Sequence, residues 1–466
     1  MDLSKIAGTH AGPSVAASLS QLTELYRAHI DDLGRRYAPA LAAAGVDVLV
    51  IHSGTPLKRT EQDDQYWSLR TTPHFQHWLP LTQPECVLVI VAGKRPRLLW
   101  LKSTSFWEKA PLPETDHWEA SFDIQVIESS EEVKALLPSG RVSFIGDNKA
   151  RAATFGIPEE RVNAVDVIGP LDRLRAHKTP YEIECLAEAN RRSGAGHAAA
   201  RDAFRSGGAS ELEMHLRFLA ATGQDDPETP YKNIIAVGPH AATLHHVTYD
   251  KRPSSASPET LLVDAGATYQ GYCSDITRTW VRGTGATAST FLGLVDGVEK
   301  MQQRLCQAIK VGEPYEQLHE ESHRQVAAIL VEVGVAKGSV AEVIAAGVSR
   351  SFYPHGLGHS LGLQCHDVGC ALVKPKQENP YLRNTSTMVE GQAFTVEPGI
   401  YFIDGLLATL RGSEHAGLID WRLVEELAPL GGVRIEDDLI VMGGPSVIRN
   451  LTREVLPDGG GPADLR

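Results

Sequence analysis

Residues 261–281 read LLVDAGATYQGYCSDITRTWV, two apolar and β-branched runs on either side of a Tyr-Gln-Gly centre. The pattern predicts an antiparallel hairpin, and each arm carries an aspartate, Asp264 and Asp275. With a two-residue turn at Tyr269-Gln270 ahead of Gly271, the two aspartates fall directly opposite one another on one face. Opposed Cβ atoms lie about 4.5–5.5 Å apart, so two ionised carboxylates there repel unless a cation stands between them. Two metal ions about 3.5–4 Å apart would fit such a pair. The competing reading, two exposed turn aspartates, is disfavoured by the apolar LLV before Asp264. A fold that keeps this hairpin must therefore bring positive charge to an acidic face.

A second constraint comes from residues 353–369, YPHGLGHSLGLQCHDVG, where His355, His359 and His366 are interleaved with Gly356, Gly358 and Gly362. The spacing of the first two histidines would put both on one face of a helix. However, a glycine inside a helix costs about 1 kcal/mol relative to alanine, and Gly356 and Gly358 both lie between them. A loop or strand turn is the better reading, one that aims imidazoles inward while the backbone approaches a ligand closely. Three histidines together point to a metal or hydrolytic site.

Two more carboxylates sit in strand contexts. Glu397 ends AFTV and precedes Pro398-Gly399, and Glu436 lies in GGVRIEDDLIVM, with Arg434 two residues earlier on the same face. A lone buried carboxylate is costly, so it is paired or metal-bound; a plain Arg434–Glu436 surface pair competes with the metal reading. Taken together, Asp264, Asp275, His359, Glu397 and Glu436 offer one nitrogen and many oxygens. Such a set suits Mn²⁺ or a neighbour such as Co²⁺ better than a thiolate-type zinc site. Metal-activated water is then the most economical chemistry.

At 466 residues the chain exceeds one ordinary core, so two or three domains are expected. The net charge of -13 disfavours a nucleic-acid partner. The six cysteines are scattered without a CxxC pair, as expected of a reducing, cytoplasmic compartment. The N-terminal MDLSKIAGTHAGPSVAAS lacks a basic segment followed by an apolar one, so no secretory signal is expected. No apolar run approaches the roughly 18 residues that span a membrane.

Residues 1–13 are polar and expected to be loose, and Leu19, Leu22, Tyr26, Ile30 and Leu33 form a helical stripe. Strand-like runs at 46–53, 85–93, 95–102, 123–128 and 141–147, with helical segments among them, predict a compact α/β domain. The stretch 54–82 fits neither period; it reads as a functional loop or as a surface excursion packed by its own aromatics. Thr179-Pro180-Tyr181-Glu182 is a capping box that starts a helix running to about Arg205. Ser210 to Glu213 is another, and Leu212, Leu216 and Leu219 line one face of the helix it opens. Further helices are expected at 288–310 and 314–335, with strands at 260–282 and densely over 388–442. Grouped rather than alternating elements predict an α+β fold. The expected domains are 1–174 and 175–455, and LPDGGGPADLR at 456–466 is expected to be disordered.

On these residues the chain resembles the pita-bread metallopeptidases and, within them, the bacterial prolidases, or Xaa-Pro dipeptidases. Asp264 and Asp275 in VDAG…SDITRT, His359 in HGLGH, Glu397 in TVEPG and Glu436 in RIED stand where the family has its five ligands. IHSG at 51–54, DD at 63–64, WLP at 78–80, TPY at 229–231, LH at 244–245 and EPGIYFID at 397–404 match the prolidase branch. The resemblance implies a creatinase-like N-terminal domain, a pita-bread catalytic domain and a dinuclear centre, most readily Mn²⁺ with Co²⁺ or Zn²⁺ as alternatives. It further implies a homodimer in which the N-terminal loop of one subunit reaches the other's site.

The same resemblance implies roles. Asp264 and Asp275 would hold one ion, and Asp275, His359, Glu397 and Glu436 the other, with a metal-bridged hydroxide attacking the Xaa–Pro carbonyl. Glu397 would carry the proton, while His355 and His366 would stabilise the oxyanion or steer the leaving nitrogen. His245 and Arg434 would grip the substrate's terminal carboxylate, Tyr231 would line the pocket, and Asp64 of the partner subunit would meet the free amine of a small peptide. His246, where a tyrosine is common, Ser360 and Cys365 depart from the pattern and bear on substrate preference. Aminopeptidase P, which acts on longer Xaa-Pro peptides, would use the same ligands, and phosphotriester hydrolysis is a conceivable side activity. A non-catalytic binding protein could shed ligands, but all five are present.

Overall fold

The structure, a computed structural model, describes residues 17–102, 116–444 and 447–463. The expected loose stretch 1–13 and the last three residues of the tail lie outside them. The chain divides into a unit of Val15–Cys185 and one from Leu186 onward. The division falls inside helix Pro180–Ser206.

The first unit is built on one mixed sheet. Its strands are β1 (Val48–His52), β2 (Val87–Ile90), β3 (Arg97–Leu101), β4 (Asp123–Ile127) and β5 (Val142–Ile145), in the order β4-β3-β2-β1-β5. Each falls within one of the five strand-like runs of the sequence. β1–β2 and β2–β3 are antiparallel, whereas β1–β5 and β3–β4 are parallel. Val48, Val50, Val87, Val89, Leu99 and Phe144 form a buried cluster on it, each side chain contributing about 1.5–3 kcal/mol by leaving water. Helix Leu19–Ala43 opens at a Ser18 capping box and continues past Gly34, because Tyr37 and Leu41 extend its buried stripe beyond Pro39. The stretch 54–82 holds only a bridge between Lys58 and Tyr66 and the short helix Pro73–Gln76, with His74, Phe75, His77 and Trp78 buried. The capping box at 179–182 forms: the Thr179 N–H donates to Glu182 at 2.8 Å and the Glu182 N–H to the Thr179 hydroxyl at 3.4 Å.

The second unit contains β6 (Ile234–Val237), β7 (Glu259–Ala265), β8 (Thr268–Tyr269), β9 (Tyr272–Cys273) and β10 (Ile276–Arg282). Later in the chain come β11 (Ala393–Val396), β12 (Gly399–Tyr401), β13 (Gly432–Arg434), β14 (Asp437–Val441), β15 (Ile448–Asn450) and β16 (Gly460–Pro462). They form sheets in the orders β16-β10-β7-β6 and β11-β14-β15, and the pairs β12-β13 and β8-β9. Helices Ala286–Gln307 and Tyr315–Glu332 bury Phe291, Leu294, Val298, Val326 and Leu330 in a core shared with Phe394, Val396, Val433 and Leu439. Helices and strands are grouped, as an α+β fold requires.

Three local expectations are corrected. The region 388–442 is not all strand: helices Asp404–Arg411 and Trp421–Leu427 lie between β12 and β13. Leu407 and Leu410 bury the first of these at helical spacing. Helix Glu211–Thr222 turns Met214, His215 and Phe218 inward while Leu216 is exposed. The buried stripe includes Glu211 and His215, and a reading that counts only leucines misses it. Finally, the tail is ordered through Ala463, because β16 runs parallel beside β10 and Ala463 is buried. Its glycine run resembles a linker by composition, but a Cβ at Gly460 would collide with the Thr279 carbonyl, so glycine is what lets this strand lie flush against β10.

Candidate metal centre

The hairpin forms with a different register. Gln270 and Gly271 occupy the turn with φ of 52° and 88°, the backbone that matches strand twist in a tight hairpin. Asp264 therefore pairs with Thr277 rather than with Asp275. The slip is of two residues, and only an odd slip moves side chains to the opposite face. Asp264 and Asp275 consequently remain on one face as diagonal neighbours, and the Tyr231 hydroxyl lies within hydrogen-bond reach of both, 2.8 Å from Asp264.

The histidine loop reaches this face by packing on β11. The Thr395 N–H donates to the His359 carbonyl at 2.9 Å, and the His359 N–H to the Thr395 hydroxyl at 3.2 Å. A Cβ at Gly358 would collide with the Thr395 carbonyl and the Tyr315 hydroxyl, so the glycine permits the close approach. His359 Nδ1 lies 3.1 Å from the Ser360 carbonyl; donating there leaves Nε2 as the ligand atom. Nε2 is 3.3 Å from Asp275, 3.8 Å from Glu397 and 4.0 Å from Glu436. Glu397 follows β11, and Glu436 lies between β13 and β14, bridged to Thr277 of β10.

Asp264, Asp275, His359 and Glu436 are between 2% and 8% exposed. Burial raises the Asp264 and Glu436 carboxyls above their ordinary values, and takes Glu397 up to about 7. Burial also acts to raise Asp275, but His359, Cys365 and Tyr231 hydrogen bonds outweigh it and hold the group below its usual value. Against the lowering effect of burial, Asp275 pushes His359 up to about 9. Burial is the largest contribution to the rises of Asp264, Glu397 and Glu436, and the neighbouring carboxylates add to each. Ligand atoms of Asp275, His359 and Glu436 lie within 4.8 Å of one another, so the residues fit a divalent cation in both charge and spacing.

Arg434 is buried and does not pair with Glu436. It donates from Nη2 to Asp264, from Nη1 to the Tyr401 hydroxyl at 2.9 Å and from Nε to the Thr277 hydroxyl at 3.2 Å. The competing sequence reading of an Arg434–Glu436 surface pair is thereby replaced, and Glu436 instead accepts from Thr277 at 2.7 Å. His355 Nε2 lies 2.7 Å from the Tyr401 hydroxyl, and the His366 ring stands edge-on to His359 at 4.4 Å. His245 is exposed. Asp64 belongs to the first unit and is exposed on its irregular loop.

Sequence reasoning missed the parts played by Thr277, Tyr401 and Asp438. Asp438 accepts from the Asp275 N–H at 3.0 Å and from Asn190 at 2.8 Å. The signal for Tyr401 was its place in EPGIYFID, but for Thr277 and Asp438 only burial in strands flanking the ligands distinguishes them. Cys365, a departure from the family pattern, donates its thiol to Asp275 at 2.9 Å.

The family model for metallopeptidase family M24 matches residues 184–442, and that for the Xaa-Pro dipeptidase N-terminal domain matches residues 24–172. A Xaa-Pro dipeptidase of Pseudoalteromonas atlantica is 37% identical over 447 residues, covering 94% of this chain and 99% of that protein. One of Marinobacter nauticus is 39% identical over 436 residues, covering 93% and 98%. Among solved structures, aminopeptidase P from E. coli with the inhibitor Pro-Leu has a TM-score of 0.69 at 19% identity, covering 95% of this chain and 96% of that one. The aminopeptidase PepP of Pseudomonas aeruginosa gives 0.69 at 22%, with the same coverage.

Proposed function

The chain belongs to metallopeptidase family M24, in the branch with a Xaa-Pro dipeptidase N-terminal domain, and from that we propose that it is a metal-dependent dipeptidase of pita-bread fold that hydrolyses Xaa-Pro dipeptides. The carrying observation is the buried convergence of Asp275, His359 and Glu436, with Asp264 and Glu397 beside them, in a chain matched over 94% of its length by a relative of that name. In our reading the domains are 1–174 and 175–455, the second extended past its expected end by the pairing of β16 with β10. Asp264 and Asp275 would hold one ion, and Asp275, His359, Glu397 and Glu436 a second. The carboxylate-rich donor set favours Mn²⁺, with Co²⁺ or Zn²⁺ as substitutes.

Bound divalent cations acidify water and polarise a carbonyl oxygen. The protein's own groups do the rest. Glu397 accepts the proton of the attacking water and passes it to the leaving imide nitrogen. His355, which burial keeps neutral with its pKa lowered to about 3, and His366 stabilise the oxyanion or steer that nitrogen. Arg434 has N–H donors beyond those given to Asp264, Tyr401 and Thr277, and with His245 it grips the terminal carboxylate. Tyr231 lines the pocket. Asp64 of the partner subunit meets the free amine and limits the substrate to dipeptides, which makes a cytoplasmic homodimer part of the proposal.

The test compares Ala-Pro with Ala-Pro-Ala before and after chelation. Dipeptide hydrolysis should vanish with the metal and return on adding Mn²⁺. A preference for the tripeptide would instead assign an aminopeptidase P activity. Retention of both metal and Ala-Pro hydrolysis by Glu436→Ala would overturn the ligand set.

A further inference from the structure

Apart from these ligands, Glu211, the first residue of helix Glu211–Thr222, is 2% exposed. A buried carboxylate must be compensated, and this one gathers a loop around itself. Its Oε1 accepts from the Val237 N–H at 2.8 Å and lies 2.7 Å from His240 Nδ1. Its Oε2 accepts from the Asp250 N–H at 2.8 Å and lies 2.9 Å from His246 Nε2. The two imidazoles are stacked, with centroids 4.3 Å apart and planes at 21°. Each carboxylate oxygen has two lone pairs, so one serves a backbone donor and the other faces a histidine. Burial acts to raise the Glu211 carboxyl, but His246, His240 and the two backbone donors hold it down at about 2, so it is an anion at neutral pH.

We propose that Glu211, His240 and His246 form a second metal site, mononuclear and suited to Zn²⁺, that shares no ligand with the carboxylate-rich centre. Ligand atoms from the three residues lie within 4.8 Å of one another. Two imidazoles and one carboxylate are a zinc donor set that leaves a position for water, and the partly exposed His240 gives the ion a way in. The carboxylate-rich centre, with its single histidine, selects harder ions. An ion on Glu211 would fasten residues 237–250 to the start of the helix. His246 follows His245, so it would also fix the backbone beside a residue that we place on the substrate.

The test uses chelator-stripped full-length protein. Loaded with Cu²⁺, the wild type should give an electron paramagnetic resonance spectrum with hyperfine structure from two imidazole nitrogens. Loaded with Zn²⁺, it should take up one more ion per chain than the His240→Ala/His246→Ala double variant. That variant should lose the two-nitrogen pattern while keeping its circular dichroism and its Mn²⁺ uptake. Absence of the pattern in the wild type, its survival in the double variant, or equal Zn²⁺ uptake by the two proteins overturns the proposal and leaves Glu211 as a hydrogen-bonded loop anchor. If the double variant fails to fold, His240→Ala alone should reduce the pattern to a single nitrogen, and an unchanged two-nitrogen pattern overturns the proposal.

Discussion

Arg434 donates from Nη2 to Asp264, which lies 170 residues earlier in the chain. Its remaining bonds to Tyr401 and Thr277 hold the guanidinium plane beside that proposed metal ligand. Arg434→Met should lower kcat/KM for Ala-Pro by about 10–100-fold, the loss of a charge-assisted hydrogen bond. Arg434→Lys should recover little of it, because an ammonium cannot reproduce the planar fork. Steady-state kinetics check both, and an unchanged kcat/KM would remove Arg434 from the site.

Thr277 is the partner of Glu436, at 2.7 Å. Thr277→Val keeps the shape and removes the donor that orients the carboxylate. Metal affinity, measured by competition with a chelator, should fall by about 10–100-fold. Equal affinities would mean that Glu436 needs no such support or is not a ligand.

Gly358→Ala should act through backbone displacement. The added methyl meets the Thr395 carbonyl and the Tyr315 hydroxyl, so the loop carrying His359 must move away from β11. We expect about 1–3 kcal/mol of destabilisation and loss of Ala-Pro turnover. Thermal unfolding and activity assays read the two effects, and a variant unchanged in both would contradict the packing described for this loop.

The first unit should be sensitive to acid. Burial lowers His29, His77 to about 3 and His117 to about 4. Around His77 and His29 lie Glu182, which raises both, and Arg36 and Arg175, which oppose charging. Because the folded values lie below the unfolded value near 6.5, the folded state prefers the neutral rings. Their stabilisation is complete above that pH and is lost as pH falls toward the folded values. Each histidine should steepen the loss by about 1.4 kcal/mol per pH unit in that window. Urea unfolding followed through the buried Trp78 and Trp118 at pH 7 and pH 5 measures it. Equal midpoints would rule out these histidines as the acid-labile groups.

Much of the centre was legible because its chemistry is local. A carboxylate after an apolar strand, an arginine two residues from a glutamate and histidines among glycines each advertise themselves within a few positions. Family motifs then singled out His359 from its neighbours. The five strands of the first unit and the two capping boxes were legible for the same reason, since short apolar runs and capping residues are local signals.

The sequence by itself determined the donor types, the parity that keeps Asp264 and Asp275 on one face, and the strands of the first unit. Only tertiary structure decided which partners meet. It placed the turn at Gln270-Gly271, gave Arg434 to Asp264 rather than Glu436, exposed Leu216, and laid the glycine-rich tail against β10. It also gathered Val237, His240, His246 and Asp250 around Glu211. The physical reason is that periodicity encodes which face a side chain takes. Which buried donor satisfies which buried acceptor depends on packing between segments as far apart as residues 264 and 434, and no local pattern carries that choice.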